Sequence, residues 1–214
     1  MNRFFLFFLI SFFFSCEKQS YQIGDIFFQD LDCGAPCQAI EAVTSGYQGA
    51  QLSHCAIITS IGTSNYDTIL TEAIGETVTQ TTLHDFLNRS NKVFVGRLKD
   101  EYQYMIPDAI TYIQTDLNGK PYDYIFDIND DTYYCSEIIY EGLKKADNTQ
   151  ELFSLKPMTF NEPGTDIPFV HWVEYYEELG HPIPEGELGL NPGAMSRSDA
   201  IEIVHVYKKP TGMY

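Results

Sequence analysis

The sequence predicts a single α+β domain, a sheet with helices packed on it, and three observations lead there. Its 214 residues suit one sizeable core and are too few for two comfortable ones. Short β-rich runs, two of them adjacent and hairpin-like, are interleaved with amphipathic helical stretches. The 44% hydrophobic and 14% aromatic content lies far above what a disordered chain carries. No linker, internal repeat or low-complexity tract divides residues 23–214, which are read as one domain.

The elements follow in order. "YQIGDIFFQD" is strand-like, opened by Gly24 and Asp25, with Ile26, Phe27 and Phe28 as its apolar body. "APCQAIEAVTSG" reads as a helix, with Pro36 in its first turn, Ala39, Ile40 and Val43 on the buried face and Gly46 as its stop. "QLSHCAIITSIG" and "YDTILTEAIG" read as the two strands of a hairpin, with "GTS" as a three-residue connection. "TTLHDFLNRS" is helical, "KVFVGRL" a strand, and "IPDAITYIQTDLNG" a helix with Pro107 near its start and Gly119 just past its end. "KPYDYIFDINDD" is a loop that delivers the chain to a helix starting at Cys135. Beyond residue 147, Pro- and Gly-rich loops surround a short aromatic helix, "VHWVEYYEEL", and "AIEIVHVYKK" closes the chain as a strand.

The first residues, "MNRFFLFFLISFFFSCEKQ", carry Arg3 and then an apolar stretch from Phe4 to Phe14 broken by Ser11, which reads as a secretion signal over residues 1–15. A stretch of about eleven residues is too short for a bilayer core of ~30 Å, which needs ~20. Ser15 followed by Cys16 resembles a bacterial lipobox, which would make Cys16 the acylated first residue of the mature protein and residues 16–22 a lipidated tether. The alternative is an ordinary secretory signal cut near Ser15, with Cys16 incidental. On either reading the protein leaves the cytoplasm, and on the first it reaches the membrane through the Cys16 lipid and resides in the bacterial cell envelope. The net charge of −17 makes nucleic acid and anionic head groups poor partners.

Apart from Cys16, four cysteines remain: Cys33, Cys37, Cys55 and Cys135. An even number in an oxidising compartment invites disulfides, but two pairs would consume Cys135 and tie a strand cysteine to a helix end. No spacing suggests zinc. On its helix, Cys135 lies in one stripe with Ile138, Ile139, Gly142, Leu143 and Ala146, opposite Glu137, Glu141, Lys144 and Lys145, with Glu141 and Lys145 suitably spaced to pair. It sits in the first turn, for which Asp131 and Thr132 are the nearest capping candidates. There the helix dipole and free N–H groups favour a thiolate and can hold an oxyanion. A packed thiol fits the stripe equally well.

A nucleophilic cysteine needs a base, and there are five histidines. Strand alternation puts His54 with Ala56 and Ile58 on one face and Cys55 on the other. Glu72 shares a face with Leu70 and Ile74, where an unpaired carboxylate would be costly. With "GTS" at the tip, His54 and Glu72 lie opposite each other, and any even register keeps them on one face within direct or diagonal reach. Together they are either a catalytic pair or a satisfied core pair. His84, His171, His181 and His205 sit in polar, aromatic, loop and terminal-strand contexts, and Cys33 and Cys37 are the alternative thiols.

"GDIFF", "AIEAVTSGYQGAQLSHCAII", "TEAIG" and "GKPYDYIFDINDDTYYCSEIIY" together resemble the YiiX/YebB branch of circularly permuted papain-like cysteine hydrolases, relatives of the NlpC-type cell-wall peptidases. The resemblance runs from about Gly24 to the end, including "NPGAMSRS", and "YYCSE" and "LSHC" carry most of it. It implies an α+β fold with a small, barrel-like antiparallel sheet packed on the Cys135 helix. It further implies Cys135 as nucleophile, His54 as base and Glu72 as the orienting residue, in the permuted order. Tyr134 stands where NlpC-type peptidases often carry Asp, and the long tail is expected to roof the cleft. The expected activity is hydrolysis or transfer of an acyl group at an amide or ester, without metal or organic cofactor. The substrate would be a cell-wall peptide or, alternatively, a lipid-linked amide or ester, with a non-catalytic binding module as the remaining alternative.

Overall fold

The computed structural model describes residues 21–214, so the signal over residues 1–15, the lipid anchor at Cys16 and most of the tether lie outside the described residues. No helix among the described residues is long and apolar enough to cross a membrane.

The chain order is β1 (Ile26–Gln29), α1 (Ala35–Val43), β2 (His54–Ser60), β3 (Ile69–Ile74), β4 (Thr77–Thr82), α2 (Leu83–Arg89), β5 (Val93–Leu98), α3 (Ile106–Tyr112), α4 (Cys135–Ala146), β6 (Lys156–Pro157), α5 (Val170–Leu179), β7 (Leu188–Gly189), α6 (Pro192–Ser196) and β8 (Ile201–Lys208). Six strands form an antiparallel sheet in the order β4-β3-β2-β1-β5-β8. Strand alternation divides its apolar residues between two layers. Phe28, Cys55, Ile57 and Phe94 join Ile110, Ile138 and Ile139 of α3 and α4 on one face. Phe27, Ala56, Ile58, Leu70 and Val95 pack with Leu83 and Phe86 of α2 on the other. The sheet is thus buried on both sides.

The predicted hairpin forms, with a different connection. Strand β2 ends at Ser60 and β3 begins at Ile69, and Asp67 organises the turn by accepting hydrogen bonds from the N–H and hydroxyl groups of Thr63 and Ser64. Ile57 faces Thr71 and Ile58 faces Leu70, with a bulge before Ser60. The even register therefore holds, and Glu72 lies diagonal to His54 rather than opposite it. Strand β4, "TVTQTT", is an element that the sequence pattern did not mark, because only Val78 of the six is buried and apolar periodicity is missing.

Helix α1 ends at Val43, short of the predicted Gly46 stop, whose φ of −84° is not that of a helix-ending glycine. Helix α3 runs on into a π turn over Ile113–Leu117, and Gly119 follows at φ +84°, a left-handed conformation that glycine adopts without steric cost. Gly142 lets α4 approach closely, since a Cβ there would stand 2.7 Å from Ile113 Cδ1.

Two details of α4 differ from expectation. Neither Asp131 nor Thr132 caps it: Tyr134 is the N-cap, and the Glu137 carboxyl group reaches back so that its Oε2 accepts the Tyr134 N–H at 3.2 Å. Glu137 is consequently buried instead of lying on the solvent face. Glu141 pairs with Lys144 at 2.8 Å, three residues on, in place of Lys145.

The tail forms ordered walls. Strands β6 and β7 pair, α5 sets Trp172 and Tyr176 against Phe160 and against Ala39 of α1, and Asn191 caps α6 while donating to Thr44 at the end of α1. Leu190 is tied to the start of α4 twice, its N–H donating to Tyr134 Oη and its carbonyl accepting from Ser136 Oγ, both at 3.2 Å.

Two outcomes follow for stability. Burial lifts the Glu137 carboxyl from 4.5 to about 9, so the folded state holds a proton there that the unfolded chain releases. The stability linked to that proton is complete below about pH 4.5 and is lost as pH rises towards 9. Glu137→Gln keeps an acceptor for Tyr134 and cannot ionise. Its melting temperature should gain on the wild type steadily from pH 5 to 9, and parallel curves would contradict a buried neutral acid. Gly142→Ala should cost about 1–3 kcal/mol in chemical denaturation, from overpacking against Ile113.

Candidate functional site

The site forms where β2 and α4 both begin. His54 opens the strand and Cys135 opens the helix, and each is buried, at 5% and 7% exposure. Gln29, the partner of His54 across β1 and β2, donates to the carbonyls of Phe86 and Ser90 at 3.0 and 2.7 Å and so pins the end of α2 beside the histidine.

That pinning delivers Arg89. Glu72 is fully buried; His54 Nε2 stands 2.6 Å from its Oε2, and Arg89 Nη2 donates to both of its oxygens at 2.7 Å. Burial would raise the Glu72 carboxyl, but its contacts with His54 and then Arg89 prevail and hold it down at about 2. Sequence reasoning required a partner for Glu72 and found His54. It missed Arg89, whose only signal was a cation ending a helix whose position in space was unknown.

With Nε2 occupied by Glu72, Nδ1 is the ring nitrogen left to serve Cys135, and the two groups act on each other's protonation. Burial by itself would depress the imidazole, but the bond to Cys135 and then the one to Glu72 outweigh it and raise His54 to about 9. The Cys135 thiol is held well below its ordinary value, first by a hydrogen bond from the Cys55 thiol and then by His54, against the opposing effect of burial. Cys55 itself is pushed up, chiefly by burial. At neutral pH these shifts favour a Cys135 thiolate beside a His54 imidazolium, and the titration belongs to the pair. Asp127, Asp130 and Asp131, which could have opposed the thiolate, are solvent-exposed.

Cys55 is the second residue that sequence reasoning missed. Its placement on the strand face away from His54 was read correctly, and that face is the one α4 covers. Its thiol and its backbone N–H both help to hold the Cys135 thiol down. Cys33 and Cys37, the alternative thiols, are joined in a disulfide. One pair closes locally across the start of α1, leaving Cys55 and Cys135 free, so the two-pair scheme weighed from the spacing does not arise. The other histidines lie elsewhere. His84 stacks on Tyr66, His171 leans on Trp172 and Tyr175, His181 bonds to the Pro182 carbonyl, and His205 packs on Tyr207 in β8.

Cys135 lies in the wall of a cavity of about 280 Å³. Its other walls are mainly apolar, with Val43 of α1, Phe126, Met158, Phe160, Trp172 and Pro192 prominent, most of them contributed by the tail. Phe126 holds a left-handed φ of 59°, fixed by Asp123 Oδ1, which accepts the N–H groups of Ile125 and Phe126 at 2.8 Å. The predicted roofing of the cleft by the tail is therefore seen as wall-building. Among the described residues, no group of three or more His, Cys, Asp or Glu side chains could hold a metal ion.

With this geometry in view, the chain was compared with known proteins. Residues 20–205 match the family described as permuted papain-like amidase enzyme, YaeF/YiiX, C92 family. A crystal structure titled as metalloprotein yiiX from Escherichia coli O157:H7 superposes with a TM-score of 0.67 at 23% identity, over 87% of this chain and 98% of that one. That likeness extends to the fold. A search of the curated proteins gave no match. The family match spans most of the chain and includes the Cys135, His54 and Glu72 positions, so the chain belongs to the YaeF/YiiX family of permuted papain-like amidases.

Proposed function

We propose that Cys135 is the nucleophile of an amide hydrolase, with His54 as its base and Glu72 as the residue that orients and charge-stabilises the imidazole. The single observation that supports this most is the hydrogen-bonded series Arg89–Glu72–His54, whose imidazole is electrostatically linked to Cys135 in a cavity wall. A merely structural His–Glu pair would not need a helix-end thiol linked to its imidazole.

In the proposed reaction the Cys135 thiolate attacks the substrate carbonyl, and the N–H groups of Cys135 and Ser136, which precede the first bonds of α4, receive the oxyanion. The His54 imidazolium then gives its proton to the departing nitrogen. Neutral His54 next draws a proton from water, which opens the acyl-enzyme and restores the thiol pair. Arg89 and Gln29 act at one remove, fixing Glu72 and the end of α2.

Cell-wall peptides suit an envelope location, which rests on the N-terminal segment of the sequence. The apolar cavity supports a second reading more directly: a lipid-linked amide or ester, or a related acyl transfer, with an acyl chain lying along Trp172 and Phe160. A comparison of an N-acyl amide with a muropeptide as substrates separates the two.

Iodoacetamide labelling of Cys135 across pH, read by mass spectrometry, tests the mechanism. Labelling should be rapid at neutral pH in the wild type, and His54→Ala should move its midpoint up towards the free-thiol value of ~8.5. Slow labelling with that midpoint in both proteins would make Cys135 a structural thiol and leave a binding module as the reading. Amidase activity should rise with pH as the thiolate forms and fall near pH 9 as His54 loses its proton. His54→Ala should lower kcat by roughly 10²–10⁴-fold. Cys55→Ala removes the foremost hydrogen bond to the thiolate, so its labelling midpoint should shift upward while His54 remains in place.

A further inference from the structure

The cavity beside Cys135 carries an unexpected charge. The chain has 30 acidic residues against 13 basic ones, yet no Asp or Glu lines this cavity, and Lys156 and Arg197 do. Lys156 lies on β6 and Arg197 follows α6, inside the "NPGAMSRS" segment whose purpose the proposed mechanism does not use. Among the described residues, neither cation has a carboxylate within 4 Å; the same holds for Lys99, Lys145, Lys208 and Lys209, but none of those lines the cavity, whereas Arg89, Lys92, Arg97, Lys120 and Lys144 are paired.

The catalytic group does not neutralise them. A Cys135 thiolate, a His54 imidazolium, ionised Glu72 and Arg89 sum to zero, so the two cations leave the cavity net positive. Lys156 and Arg197, with Leu190 and Ala194, also line an adjoining groove of about 460 Å³, whose carboxylates are Glu151 and Asp199. They therefore mark the border between the apolar chamber and that groove. Phe126, Phe160 and Trp172 belong to the chamber alone.

On a strongly negative protein, two cations at the mouth of an apolar chamber that holds no acid suit an anion. We propose that the substrate carries an anionic group, a carboxylate or a phosphate ester, which Arg197 and Lys156 receive while the apolar acyl part fills the chamber. Arg197 is the stronger candidate, because its planar guanidinium can meet either group with two parallel hydrogen bonds. This inference rests on the amide-hydrolase reading and narrows it to N-acyl amides whose amine half is negatively charged. Arg197 and Lys156 are thus specificity residues and take no part in bond breaking.

The test uses the purified full chain with three probes sharing one acyl chain: N-decanoylglycine, O-phospho-N-decanoylethanolamine and neutral N-decanoylethanolamine. The charged probes should have kcat/KM at least about tenfold above the neutral one, and Arg197→Gln should remove most of that advantage through KM. Lys156→Gln should act in the same direction, and in both variants the loss on the charged probes should exceed any loss on the neutral one. Preference between the two charged probes identifies carboxylate or phosphate as the source of the anion. Equal turnover of all three by the wild type, or parallel loss on all three in the variants, would overturn the proposal. Should no probe be cleaved, calorimetric binding of the charged probes to Cys135→Ala decides it: binding lost on adding Arg197→Gln supports the anion site, and binding that is absent or unchanged overturns it. Iodoacetamide labelling of the same proteins keeps the two ideas apart, because an unreactive Cys135 sinks the hydrolase reading without touching the binding result.

Discussion

A fully buried carboxylate organises this site. Glu72 sits in the middle of β3 with no access to water, where an uncompensated charge would cost several kcal/mol. Its compensation draws in three elements at once: β3 supplies the acid, β2 supplies His54 and α2 supplies Arg89. Because both oxygens are engaged, the imidazole can hold only one orientation, and the ring nitrogen left over points to the start of α4. The electrostatic setting of Cys135 is thus a consequence of how a strand acid was satisfied on the far side of the histidine.

The fold protects this arrangement by layering. The sheet is apolar on both faces, so alternation forces His54 and Cys55 to opposite sides, one to the carboxylate and one to the helix. Two adjacent residues of β2 therefore approach the same sulfur from different directions. The segments that close the cavity are held by polar ties to the helix start and to α1, through Leu190 and Asn191, rather than by extensive sheet pairing.

Much of this was legible in the sequence, for physical reasons that differ by residue. Helical periodicity marked Cys135 as inward-facing, alternation placed His54 and Glu72 on one face, and parity of register made their proximity robust to the wrong loop length. Arg89 was invisible because its role depends on where α2 ends in space, which Gln29 settles. The Cys33–Cys37 bridge was set aside because the four cysteines were weighed as two pairs, when one local pair suffices. Glu137 was assigned to solvent because its spacing matched the polar face, while the free Tyr134 N–H drew it inward as a cap. Strand β4 lacked apolar alternation because it lies at the edge of the sheet.

The permuted order has a further meaning for how the protein comes into being. A chain made from its N-terminus presents His54 and Glu72 first, and Arg89 joins them when α2 folds beneath the sheet. Cys135 follows later, and Leu190, Asn191 and Arg197, which complete the chamber, later still. The Cys135 sulfur thus emerges after His54, Glu72 and Arg89 and before the walls that enclose it, so the cavity exists only once the segment through Arg197 has been made.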